Sequence, residues 1–346
     1  MPAQDRALFD RIYRISIAEA RMRLPLAMVP WVERTFGQTG EVERQAIVRV
    51  SDVVTGEGTL FNSLRARRPV RPALRADDDF SRELRDDAWA DPLESTPEDP
   101  FGRFSNAHGL TAANVAKYDA VHSIIVFTEA DPLKFTPASI AGQFELATRW
   151  LGAAHAYDSD ARYPYLMWNC LWRAGGSIVH GHTQISLARG RHYAKIERLR
   201  RDTQEYHDTY GASYFDDVAR VHDALGLLLE VAGLRVFTRL TPLKEKETVI
   251  LASALDANAA EAVHHVLRVF RDSLGVRSFN LGALIAPIAP VEEPWEGFPV
   301  VIRIVDRGDL ATRTSDIGGM EMFAESVVAS DPFAVHAALA GVDWKG

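Results

Sequence analysis

Two stretches of the chain carry the same order of predicted elements, strand–strand–helix–strand–strand, and this order restricts the fold more than any other feature. In the first stretch, residues 103–106 and 121–127 read as strands, the second ending at the turn signal Glu129-Ala130-Asp131-Pro132. A helix opens near Pro137, and its apolar residues Ile140, Phe144, Ala147, Trp150 and Leu151 recur at helical spacing. Strands over 165–170 and 177–187 flank a Gly-Gly turn. In the second stretch, 234–239 and 248–252 read as strands. Residues 256–274 read as a helix with Val263, Val266, Leu267 and Phe270 inward, and 278–287 and 299–305 as the last strands. Short connections favour antiparallel pairing. The expected fold class is α+β, with antiparallel sheets, flanking helices and two pseudo-repeated halves.

The 346 residues suit two such units. Residues 1–58 read as an N-terminal helical extension, in which the stretch from Val42 to Val54 resumes a helix-like face. Residues 59–232 then form the first half and 233–346 the second. Residues 191–231 read as helical with a break at Gly211, and the chain closes in one or two helices between Glu321 and Ala340. The segment from Asp77 to Pro100 is acidic and turn-rich, which suggests a loop.

A net charge of -8 disfavours a phosphate backbone as partner, so no nucleic acid is expected. The single cysteine, Cys170, forms no internal disulfide and supplies no cysteine-rich zinc site; a buried core thiol is the expectation. The start is polar, and no apolar run reaches the ~20 residues that span a bilayer. No membrane association and a reducing, cytoplasmic location follow as expectations.

Chemistry concentrates between Asn169 and Gln184. On a strand, side chains alternate faces, so His180, His182 and Gln184 are expected on one wall. A neutral imidazole nitrogen is a nucleophile near neutral pH and a good leaving group from a phosphoramidate. The Gln184 amide can donate to a phosphoryl oxygen as charge shifts onto it. The turn Gly175-Gly176-Ser177 can bring backbone N–H groups and a hydroxyl close to phosphate, and Asn169 offers a donor and an acceptor. Two other readings of His-x-His stay open: a pair of metal ligands, or two satisfied histidines without a role. Two lysines in 241–248, and Arg307 and Arg313, are further candidates for anion contact.

His180-Gly181-His182-Thr183-Gln184 resembles the His-x-His-x-Gln signature of one branch of the histidine triad (HIT) superfamily. That branch holds galactose-1-phosphate uridylyltransferase and the diadenosine tetraphosphate phosphorylases. Asn169, Gly175 and Ser177 stand thirteen, seven and five residues before His182, as in the uridylyltransferases. Phe104-Ser105-Asn106 resembles the family's nucleoside-contacting strand. Arg65-Ala66-Arg67-Arg68-Pro69 resembles its phosphate-facing segment, and the Glu321 region its sugar-contacting one. The resemblance spans roughly residues 60–340.

It implies a HIT-like fold and ping-pong transfer of a nucleoside monophosphate from a nucleotide sugar or dinucleoside polyphosphate through a covalent His182 intermediate. His182, Gln184 and His180 would form the catalytic set. Asn106, Asn169, Gly175, Gly176, Ser177, Arg65, Arg68 and Glu321 would bind substrate. A homodimer is implied, and no cofactor.

The departures are equally specific. The family's zinc site often uses a Cys-x-x-Cys pair, which this chain lacks, and a histidine where Asp131 stands. The histidines of its second metal site are missing from 281–284 and 300–304. No metal is expected. Ser315 and Met320 occupy the places of the family's acceptor-contacting Lys and Tyr. A phosphorylase using inorganic phosphate or a hydrolase of the same substrates, a different sugar phosphate as acceptor, and a non-catalytic nucleotide-binding protein therefore remain alternatives.

Overall fold

The computed structural model describes residues 1–67, 80–312 and 314–343. Its N-terminal part comprises α1 (Ala3–Ile12), β1 (Tyr13–Arg21), α2 (Val29–Phe36), α3 (Thr39–Glu43), β2 (Arg44–Asp52) and β3 (Gly58–Phe61). The reading of residues 1–58 as a helical extension is thus corrected. β1 and β2 pair antiparallel from Tyr13↔Asp52 to Arg21↔Arg44. Ile15 and Ile17, like Val48 and Val50, alternate at period two, and β-branched side chains suit a pleated surface better than a helix.

After α4 (Ser81–Arg85) and α5 (Pro92–Ser95) comes the first repeat. It runs β4 (Ser105–Asn106), β5 (Gly109–Ala113), β6 (Val121–Phe127), α6 (Pro137–Tyr157), β7 (Ala161–Cys170) and β8 (His182–Arg189). Helices α7 (Ala194–Tyr210) and α8 (Tyr214–Ala224) lead to the second repeat. This runs β9 (Leu228–Val231), β10 (Leu234–Thr238), β11 (Thr248–Ala252), α9 (Ala257–Asp272), β12 (Phe279–Leu284) and β13 (Val300–Asp306). The chain ends with α10 (Gly319–Phe323), β14 (Ser326–Val328) and α11 (Pro332–Ala340).

Among the described residues, ten strands make one sheet, ordered β4-β5-β6-β8-β7-β12-β13-β11-β10-β9. Each repeat contributes three strands in sequence, then a hairpin in reversed order, and the repeats join through antiparallel β7 and β12. Each repeat has one strand more than the sequence suggests. β5 is rich in Gly and Ala, and β9 continues a stretch that reads as helix, so neither stands out in the sequence.

Helices α6 and α9 cover one face of this sheet. Thr136 and Ser139 form a capping box at the start of α6, with Pro137 in its first turn. Asp256 caps α9 by accepting from the Ala259 N–H. Ile140, Phe144, Trp150, Val263, Val266 and Phe270 meet Ile125, Leu166, Ile185, Leu281 and Ile302 in the main core. Cys170 belongs to this core, and burial pushes its thiol pKa up.

The opposite face is not uniformly apolar. At one end, Trp89 packs with Ala112, Ile124 and Val126. At the other, α1, α8 and the small sheet β1-β2-β3-β14 cover Phe237, Val249 and Val301. Glu57, from the β2–β3 turn, accepts from Arg303 of β13 at 2.8 Å and pairs with Arg239, tying the small sheet to the large one. Between the two apolar patches the face carries Gln184, Met167, Asn169 and Asn280.

Candidate active site

Strand β8 is buried from His182 to Ala188, between β6 and β7. The pairs Val126↔His182, Ile124↔Gln184 and Met167↔Gln184 put His182 and Gln184 on the open face of the sheet, as strand alternation predicts. His182 Nδ1 lies 2.8 Å from the His180 carbonyl oxygen. A carbonyl only accepts, so Nδ1 carries the hydrogen and Nε2 carries the lone pair. Nε2 has no hydrogen-bond partner among the described residues. Burial lowers the pKa of this ring, which keeps it neutral. The Trp89 ring stands edge-to-face against it, 5.0 Å between centroids.

Gln184 is oriented from behind. The Tyr118 N–H donates to His122 Nδ1 at 2.9 Å, so the hydrogen of this fully buried ring sits on Nε2. That N–H donates to Gln184 Oε1 at 3.1 Å. With its oxygen engaged, the Gln184 amide turns its NH₂ group toward the open face, where it has no partner among the described residues. Burial lowers the pKa of His122 and holds it in this neutral form.

His180 departs from its expected place. β8 starts at His182, and the residues before it are irregular, so alternation does not extend back to 180. Its Nδ1 meets Asp87 Oδ2 at 2.7 Å and its Nε2 donates to the Phe127 carbonyl at 2.8 Å. Its ring is therefore fully occupied, and its contribution to His182 comes through its backbone carbonyl.

The preceding turn is built as its glycines suggest. Gly175 adopts φ +89°, the left-handed region that favours glycine. A Cβ on Gly176 would stand 2.7 Å from the Asn169 carbonyl and 3.0 Å from that of Leu171. Ser177 is exposed, its hydroxyl free of protein partners among the described residues. Asn169 lies one step past the Met167↔Gln184 pair, level with His182, and its Oδ1 accepts from Asn280 Nδ2 at 2.7 Å.

The structure does not gather every predicted residue here. The Asn106 amide donates to the Gly142 carbonyl (2.9 Å) and to Glu145 (3.1 Å) of α6, on the helical side of the sheet. Arg65 and Glu321 line a separate cavity with Arg173, Lys244 and Arg307. Arg68 and Arg313 lie outside the described residues.

Conversely, Asp87, Trp89, His122 and Asn280 were not among the sequence candidates. Only His122 left a signal, as a lone polar ring between apolar residues of a strand. The reading of His180 and His182 as a pair of metal ligands does not fit, because both His180 nitrogens are taken; Asp131 caps its own turn by accepting from the Leu133 N–H. Among the described residues no three metal-ligating side chains cluster.

No protein-family model and no curated protein matches the chain. Solved structures do. An ADP-glucose phosphorylase from Arabidopsis thaliana with bound ADP-glucose superposes with TM-score 0.62 at 14% identity, over 85% of this chain and 97% of that one. A GalT-like protein from the same plant gives 0.59 at 14% identity, over 85% and 98%. A uridylyltransferase gives 0.56, also at 14%, over 85% and 98%. At that identity the likeness speaks for the fold: this chain has the HIT-like α+β fold of uridylyltransferase-like proteins.

Proposed function

We propose that the protein is a nucleotidyltransferase that acts on a nucleotide sugar or a dinucleoside polyphosphate through His182. The observation that carries this reading is a neutral, buried imidazole. Its Nδ1–H is pinned to a carbonyl while Nε2 is free beside the Gln184 NH₂. Nε2 attacks the α-phosphorus, a P–N bond forms, and the P–O bond to the departing phosphate breaks with the electron pair leaving on oxygen. The ring gains positive charge as it bonds, and the Nδ1–H···O=C bond to His180 stabilises it. Gln184 donates to an α-phosphoryl oxygen. An oxygen of the acceptor phosphate then attacks the same phosphorus, and the P–N bond breaks to restore the lone pair.

A phosphorylase, with inorganic phosphate as acceptor, is the second reading. The Ser315 hydroxyl is spent on Ile317, and neither it nor the exposed Met320 supplies a cation where the family has its acceptor-contacting Lys.

Isotope exchange tests the ping-pong order. Labelled sugar 1-phosphate should enter UDP-, GDP- or ADP-sugar with no second acceptor present, or labelled ATP should enter diadenosine tetraphosphate. Absence of exchange for the whole panel, with folded protein, would contradict the proposal.

A further inference from the structure

A glutamine amide can turn either end to a ligand. One end donates and the other accepts, so whatever fixes its direction decides what it binds. Turned the wrong way, Gln184 would set a carbonyl oxygen against a phosphoryl oxygen, and the two would repel. His122 is placed to prevent this. It lies on β6, beside the strand that carries Gln184, two residues from the Ile124↔Gln184 pair and on the same face of the sheet. Its ring is fully buried.

The loop of residues 114–119 settles which ring nitrogen carries the hydrogen. The Tyr118 N–H donates to Nδ1 at 2.9 Å, and the Tyr118 ring stacks on the imidazole with 4.8 Å between centroids and 15° between planes. Lys117 Nζ and the Asn114 N–H both donate to the His122 carbonyl, at 2.6 and 3.3 Å. Nδ1 therefore accepts, and the Nε2–H needs an acceptor. Asn114 and Gln184 stand within reach. The Asn114 side-chain oxygen already accepts from the Ala116 N–H at 3.0 Å, and its amide nitrogen, 3.4 Å from Nε2, is a second donor. Gln184 Oε1, at 3.1 Å, takes the hydrogen. The loop thus fixes His122, and His122 fixes Gln184.

We propose that His122 is a positioning residue: it holds the Gln184 amide with its NH₂ group toward the open face of the sheet, where that group donates to an anionic oxygen such as that of a phosphoryl group. The effect on rate rests on the transfer reading, whereas the direction of the amide is measurable without turnover.

Substitutions separate the contacts. His122→Asn puts an amide oxygen near the place of Nδ1, so it still accepts from Tyr118, but it has no atom at the place of Nε2. His122→Gln puts an amide NH₂ near the place of Nε2. In transfer assays His122→Asn should lose about tenfold in kcat with little change in KM, because a misdirected donor fails where charge shifts onto oxygen. His122→Gln should regain most of that loss. In a Gln184→Ala background, His122→Asn should cost nothing further, since its effect passes through Gln184. Unchanged kcat in His122→Asn, or losses that multiply in the double variant, overturns the proposal.

Without substrate, ¹⁵N spectra of histidine- and glutamine-labelled protein report the same arrangement. His122 should carry its hydrogen on Nε2. The Gln184 side-chain amide signals should shift in His122→Asn and return toward their wild-type positions in His122→Gln. A hydrogen on Nδ1, or Gln184 signals indifferent to His122→Asn, overturns the proposal whatever the activity. The expected spectra in a protein that transfers nothing uphold the placement of the amide and remove the transferase reading.

Discussion

His182 works through atoms it does not own. The lone pair is on Nε2 because the His180 carbonyl claims the Nδ1 hydrogen, and that carbonyl is held because Asp87 and the Phe127 carbonyl fix the His180 ring. For the transfer proposed above, Asp87 is therefore a positioning residue. Asp87→Ala should lower the transfer rate by about tenfold or more with little change in KM, since small misplacements of a nucleophile are costly. Asp87→Asn, whose amide oxygen still accepts from Nδ1, should retain more of the rate. Steady-state kinetics decide it, and equal kcat for wild type and Asp87→Ala would refute it. His182 and Gln184 were legible in the sequence because both lie on β8, where a period of two settles the face. Asp87 and Trp89 were not. They reach the site from an acidic, turn-rich segment some ninety residues away, and no local periodicity encodes that closure.

The element that shapes the site is the β7–turn–β8 hairpin. Its turn depends on Gly176, whose missing Cβ lets two carbonyls approach. Gly176→Ala should destabilise the protein by about 1–3 kcal/mol through overpacking. Gly152→Ala is the matched control: the position is exposed in α6 with nothing near its added Cβ, so it should stabilise by about 0.5–1 kcal/mol. Urea titrations separate the two, and effects of equal sign would contradict the description of the turn. Of the other elements, β6, α9 and the start of α6 were readable to within a residue or two, because turn signals and apolar spacing agree there. The N-terminal hairpin was not. Ile15, Ile17, Val48 and Val50 alternate within short runs whose flanking residues, from Leu8 to Ile12 for instance, do follow helical spacing.

Across the whole molecule, two runs of the same element order build the sheet, and burial sets the response to acid. His122, His182, His192 and His222 are buried, and burial lowers the pKa of each, that of His222 to about 3. Below the ordinary histidine value of ~6.5, the unfolded chain binds protons that the folded protein refuses, so stability falls as pH falls. Glu57 and Glu197, each lowered to about 2 beside arginines, add a loss of the same sign below the ordinary glutamate range. From pH 7.5 to 5.5, His222 alone should remove about 1.4 kcal/mol. Denaturant unfolding at the two pH values checks this, and equal or greater stability at pH 5.5 would contradict it. The repeated strand–helix–strand order was visible in the sequence. The joining of the halves through β7 and β12 was not, because pairing between distant strands leaves no local pattern.

The central claim is that His182 Nε2 becomes bonded to phosphorus. Intact-protein and peptide mass spectrometry after rapid quenching with nucleotide sugars or diadenosine tetraphosphate measures this directly. The account predicts one added nucleoside monophosphate, mapped to His182, stable in base, labile in acid and missing in His182→Gly. An unmodified wild-type protein during turnover, or an adduct that persists in His182→Gly, would contradict it.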